Sequence, residues 1–159
     1  MTETQLDQTE FVQTEFAKTE FDLADFIPYL LNRAAEKTSH DFEHVYKSKY
    51  GMLRMEWRVL FHLGRYGALT AKEICQKGDL HKTKVSRAVA ALEDKRFLTR
   101  EAQAHDRRYE TLKLSTQGFT VYQDLCLQAA DFHHRIVEQL AEGDEKALLR
   151  ALRNLIDRK

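Results

Sequence analysis

Five donor-bearing side chains stand within six consecutive positions: Lys82, Thr83, Lys84, Ser86 and Arg87. Read as a helix, this stretch gathers Val85, Ala88, Val89 and Leu92 on one side. Thr83, Arg87 and Ala90 point the opposite way, flanked by Lys84 and Ser86. Such a face is slim at Ala90 and rich in donors. It can enter a major groove, where arginine suits guanine and serine or threonine suits several bases. Lys82, at the helix start, is placed for a phosphate. Taken alone, the helix is equally compatible with an ordinary amphipathic surface. Some twenty positions on comes a second polar cluster, Asp106-Arg107-Arg108. An arginine fits a narrow, strongly negative minor groove. The adjacent Asp106 suits the task of holding one guanidinium in a fixed pose through a paired hydrogen bond.

Other reactive residue types give weaker patterns. His40 and His44 are four apart, the spacing of two metal ligands on one helical face. No third ligand follows from spacing, so both read as exposed or hydrogen-bonded histidines, with no metal and no cofactor expected. His133 and His134 are adjacent, so at most one can point inward. Cys75, beside Ile74, reads as a small buried thiol, and Cys126 likewise. Two cysteines alone make no disulfide-rich scaffold, and their separation of 51 positions is not that of a CxxC knuckle, which fits a reducing cytoplasm. A Gly-rich phosphate loop, a nucleophile elbow and a paired-carboxylate signature are all missing, so the sequence does not point to an enzyme.

The elements that must position these groups are mostly helical. One proline, Pro28, and six glycines leave little room for a sandwich or barrel of many tight turns. Apolar residues spaced by three and four predict a helix from about Asp25 to Tyr50, with Pro28 in its first turn and Gly51 as its stop. A second runs from about Leu53 to Tyr66, with Leu53, Trp57, Leu60 and Gly64 on one face. Thr70 and Glu73 then have the capping-box spacing, with Leu69 and Ile74 at the staple positions around them. This short helix must end at Gly78. The turn Gly78-Asp79-Leu80 leads into the donor-bearing helix, about His81 to Lys95. Helix, short glycine-containing turn, helix is a helix-turn-helix. Two short strands, Phe97 to Glu101 and Tyr109 to Leu114, flank the polar loop 102–108 and make a winged hairpin. A long helix follows from Thr116 to about Leu140. Its Tyr122, Leu125, Ala129, Phe132 and Ile136 form an interhelical seam. A last helix, about Asp144 to Asp157, carries Leu148, Leu152, Leu155 and Ile156. Helices at both ends must bury apolar stripes, and a twofold-related copy is a suitable partner.

The charge balance is zero over 159 residues, with 25 basic and 25 acidic side chains. It conceals an asymmetry. Residues 1–25 hold seven acids against Lys18, whereas 81–108 holds eight bases against four acids. A basic segment in a neutral chain points to a polyanion. The first 24 residues read as an acidic arm in which Thr-Glu-Phe recurs at 9–11, 14–16 and 19–21. A five-residue step does not put Phe11, Phe16 and Phe21 on one helical stripe. Hydrophobic residues at 43% and charged residues at 31% are ordinary for a soluble globular chain. No apolar run approaches a membrane span, and the polar start MTETQLDQTE does not read as a secretory signal.

Three stretches together resemble the MarR family of transcriptional regulators: Glu56-Trp57-Arg58-Val59-Leu60, Leu69 through Ile74, and Lys82-Thr83-Lys84-Val85-Ser86-Arg87-Ala88-Val89. Leu92-Glu93, Asp106-Arg107-Arg108 and Leu112 through Gly118 extend the likeness over about 25–159. The resemblance implies a mainly α fold with a small β wing. A winged helix-turn-helix core at about 53–114 would lie between dimerisation helices at about 25–50 and 116–158. It further implies a homodimer on double-stranded DNA at a pseudo-palindromic operator, commonly a repressor released by a small aromatic or phenolic effector. Residues Lys82, Thr83, Lys84, Ser86, Arg87, Arg107 and Arg108 would contact DNA, with Asp106 orienting Arg108. Effector candidates by position are His40, His44, Arg54, Met55, Trp57 and Phe61, with Arg54 as the cation. His81 stands where an aspartate is frequent, so the helix start is expected to be capped differently. A metal-responsive regulator of the same fold, or a protein-interaction module that never touches DNA, are the alternatives.

Overall fold

The computed structural model describes residues 21–102 and 110–157. The chain divides into two compact units, Met1–Asp41 and Phe42–Lys159. In the described part of the first unit, Asp22 caps a short 3-10 turn, Leu23–Asp25, by accepting from the Ala24 N–H at 2.8 Å. Helix α1, Ile27–Tyr50, follows and carries Pro28 in its first turn, where no intrahelical N–H is needed. Leu23, Phe26, Ile27, Leu30 and Leu31 are all exposed. Helix α1 ends as expected at Gly51. Its left-handed φ of 59° lets Gly51 and Met52 donate back to the Lys47 and Tyr46 carbonyls.

The second unit holds the core. Helix α2 (Arg54–Tyr66) precedes a two-residue strand β1 (Leu69–Thr70), helix α3 (Ala71–Gly78) and helix α4 (Lys82–Asp94). Strands β2 (Leu98–Ala102) and β3 (Glu110–Leu114), then helices α5 (Thr116–Val137) and α6 (Asp144–Ile156), complete it. The sheet is antiparallel in the order β1-β3-β2, with Leu69 opposite Leu112 and Leu98 opposite Leu114. Side chains from every layer meet in one cluster: Tyr46, Met52, Leu60, Ile74, Val85, Leu92, Leu98, Leu112 and Leu125 are at most 2% exposed. Burying each contributes about 1.5–3 kcal/mol, and this cluster fixes α4 against its neighbours.

Several local expectations hold in atomic detail. Thr70 and Glu73 form the reciprocal capping box, Thr70 N to Glu73 Oε2 at 2.7 Å and Glu73 N to Thr70 Oγ1 at 3.2 Å. Two expectations change, at Leu69–Thr70 and at Leu53, and two others, at His133–His134 and at the end of α3, hold with added detail. Leu69 and Thr70 do more than open a helix: they pair with β3 as a third strand. Leu53 is the exposed N-cap of α2 and not part of its buried face. His133 and His134 are both exposed, with His133 Nε2 3.3 Å from Glu145. The left-handed residue after α3 is Asp79 (φ 48°), one position past Gly78. Gly78 is needed for space: an ideal Cβ there would stand 2.6 Å from His62 Nε2 and 2.8 Å from Leu80.

Candidate functional site

Helix α4 sorts its residues as its sequence dictates. Val85, Ala88, Val89 and Leu92 are buried, while Lys82, Thr83, Lys84, Ser86, Arg87 and Ala90 are exposed. Three cations and two hydroxyls thus occupy one outward surface. His81 caps the helix differently from an acid, its Nδ1 accepting from the Thr83 N–H at 3.3 Å. The unpaired N–H groups of the first turn add positive character beside Lys82 and Lys84. The wing residues Asp106, Arg107 and Arg108 lie outside the described residues.

Two of the bases between 81 and 108 are engaged inside the fold. Lys95 Nζ lies 3.0 Å from Oε2 of Glu56, the buried acid of α2, and so ties the end of α4 to that helix. Arg100, on β2, bonds Glu93 of α4 at 2.8 Å and Glu110 of β3 at 3.0 Å. Lys113 and Glu101 pair across the same two strands. The wing stem is thereby fastened to α4 by one guanidinium.

A cavity of about 450 Å³ opens beside α2, lined by Trp57, Arg58, Phe61, His62, Arg65, Tyr66 and, from α5, Tyr122. That size falls within the range of small-molecule sites. Aromatic contacts continue inward from it: Trp57–Phe61 at 4.7 Å, Phe61–Tyr122 at 5.3 Å and Phe42–Trp57 at 5.4 Å. Trp57 and Phe61 are therefore both core and cavity wall. Gly64 makes room for the Tyr122 ring, which a β-carbon there would strike. Burial holds the His62 imidazole below its ordinary value, and Arg58 and Lys77 push it the same way, so the ring is neutral between cationic neighbours.

Of the six positional candidates for an effector, Trp57 and Phe61 line this cavity. Arg54 and Met55 sit a turn earlier on α2, and His40 and His44 are exposed on α1. Arg58, His62, Arg65, Tyr66 and Tyr122 escaped the sequence reading. A polar stripe at 58, 62 and 65 beside the aromatic steps at 57 and 61 was the available signal. Among the described residues, no group of three or more His, Cys, Asp or Glu side chains is placed to hold a metal ion.

A winged helix-turn-helix whose second helix turns a cationic, hydroxyl-bearing face outward defines a DNA-binding protein by class. Comparison with known proteins narrows the class. The MarR family model matches residues 50–108. The HTH-type transcriptional regulator YwoH of Bacillus subtilis (strain 168) is 24% identical over 98 residues, covering 62% of this chain and 71% of its own. The BpsR structure from Bordetella bronchiseptica, described as regulated in DNA binding by 6-hydroxynicotinic acid, superposes with a TM-score of 0.79. It is 17% identical, and the match covers 87% of this chain and 99% of that one. The MepR–DNA complex of S. aureus gives 0.72 at 19% identity, over 86% and 97% of the two chains. Over residues 50–108 the chain is thus similar to the MarR family, and its fold is that of these DNA-binding transcriptional regulators. Among the described residues, no helix is long and apolar enough to cross a membrane.

Proposed function

We propose that two copies of the chain, joined through α1, α5 and α6, bind a pseudo-palindromic operator and repress transcription in the cytoplasm until a small aromatic effector releases them. The observation that carries this reading is the outward face of α4. Thr83, Ser86 and Arg87 read base edges there, while Lys82 and Lys84 neutralise phosphates. Arg107 and Arg108, with Asp106 orienting Arg108, serve the wing in the minor groove. The dimer reading rests on exposed apolar residues at both ends of the chain: Leu23, Phe26, Ile27 and Leu30 on one side, Leu148, Leu155 and Ile156 on the other. In this arrangement residues 1–24 are an acidic arm and 25–159 the regulatory domain. The cavity beside α2 is the effector site. Its aromatic walls and the Arg58 and Arg65 guanidiniums suit a planar aromatic anion, so the cation is assigned to these residues in place of Arg54. The relatives support both halves of the reading, MepR by its complex with DNA and BpsR by its regulation by 6-hydroxynicotinic acid.

Selecting bound sequences from a random duplex pool tests it. The expected product is an inverted repeat whose half-sites are centred about one duplex turn, ~34 Å, apart. Arg87→Ala should relax selection at one position per half-site and cost about 1–3 kcal/mol. Recovery of unrelated sequences, or of single half-sites, would refute the dimeric reader.

A further inference from the structure

Three wall residues of the cavity are also the neighbours of the last two residues of α3. Arg58 Nη2 donates to the Gly78 carbonyl at 3.2 Å. His62 Nε2 packs closely on Gly78, so that a β-carbon there would stand 2.6 Å from it and the ring would have to move. Tyr66 carries the Lys77 ammonium over its ring at 4.4 Å and stacks on His62 with centroids 6.0 Å apart. Gly78 opens the turn of the helix-turn-helix. Asp79 follows in the left-handed region, Leu80 is buried with its N–H bonded to the Cys75 carbonyl at 2.9 Å, and His81 caps α4. Three residues therefore separate an effector-facing side chain's hydrogen bond from the first residue of the DNA-reading helix.

We propose that Arg58 is the positioning residue through which an aromatic carboxylate in the cavity is felt by the helix-turn-helix turn. The proposal rests on the reading of the cavity as the effector site. A carboxylate is a charged acceptor with two oxygens, so a guanidinium can hold it through two parallel N–H···O bonds, where the Gly78 carbonyl takes one. An anion seated beside Arg58 draws its Nη2 from the Gly78 oxygen. The carbonyl that closes α3 then loses a partner, and the tie between α2 and the turn is released. Arg65 and the aromatic walls retain the ligand while this happens. The ligand thereby binds the two arrangements of the turn with different affinity, which is the condition for it to shift DNA binding.

The test uses the full chain, benzoate as the probe and hydrogen exchange at the Leu80 and His81 amides. Trp57 is the single tryptophan and lines the cavity, so its fluorescence reports occupancy directly. In wild type, benzoate is expected to quench Trp57 and to speed Leu80 exchange about tenfold. Arg58→Gln should show the faster exchange without benzoate, and benzoate should leave it unaltered. Arg58→Lys, which keeps a cationic donor on a long stem, should restore slow exchange in the free protein. Quenching of Trp57 with unchanged Leu80 exchange overturns the coupling and leaves the effector site standing. No Trp57 response removes the cavity as an aromatic carboxylate site, and the proposal with it.

Discussion

His62 shows how one side chain can link pH to both stability and ligand affinity. Its folded-state pKa is depressed by burial first and by Arg58 and Lys77 next. Between that depressed value and the unfolded value of 6.5, the unfolded chain binds more protons than the folded one. Stability attributable to His62 is therefore complete above 6.5 and is lost as pH falls through the folded pKa. An anion in the cavity has the opposite preference, because it favours the imidazolium. Benzoate should consequently bind more tightly at pH 5.5 than at pH 7.5, and His62→Gln should flatten that dependence in a Trp57 titration. Equal slopes for the two proteins would show that the ring does not face the anion. A second residue-scale prediction concerns Gly118, where a β-carbon would collide with the Phe97 carbonyl oxygen. Backbone cannot yield as a side chain can, so Gly118→Ala should cost about 3 kcal/mol in urea denaturation. The sequence marked Gly118 only as part of a motif. The oxygen that forbids any larger residue comes from a segment 21 positions earlier and leaves no local trace.

The helices were legible because each carries its own boundary chemistry. Thr70 and Glu73 announce a cap whose two partners lie three residues apart, and the four buried positions of α4 recur at helical spacing. Strand β1 was not legible, since two residues carry no alternation and its pairing with β3 spans more than forty positions. Charge was misleading in a similar way. The eight bases of 81–108 point to a polyanion, yet Lys95 and Arg100 are occupied by Glu56, Glu93 and Glu110, partners that mostly lie on other elements. A prediction for the wing follows from that distinction. Arg100 aligns β2 and β3 with α4 through its two ion pairs. Arg100→Gln should then weaken operator binding by about three- to tenfold while leaving the dependence on salt unchanged. Arg108→Ala should weaken binding to every duplex and reduce the salt slope by about one unit. Binding titrations from low to moderate salt separate the two. A reduced slope for Arg100→Gln would place that guanidinium on the DNA.

At the scale of the molecule, zero net charge results from two opposed regions. Residues 1–21 hold five acids against Lys18, and the outward face of α4 carries Lys82, Lys84 and Arg87. DNA is dense in negative charge, so any acidic segment held near the same duplex by the chain itself opposes the encounter. The effect is a long-range one and reaches only about a Debye length, ~10 Å at 0.1 M salt. Removing residues 1–21 should raise affinity for random duplex several-fold at low ionic strength. The gain should shrink as salt increases and vanish when the charges are screened. Affinity for the selected operator should rise by the same factor, because repulsion of phosphates does not depend on which bases are read. The truncated and full-length chains would be compared by fluorescence anisotropy on both duplexes at several salt concentrations. An affinity unchanged at low salt would show that the arm's charge lies beyond reach of the DNA. A gain confined to the operator would show that the Thr-Glu-Phe repeat acts on base recognition itself.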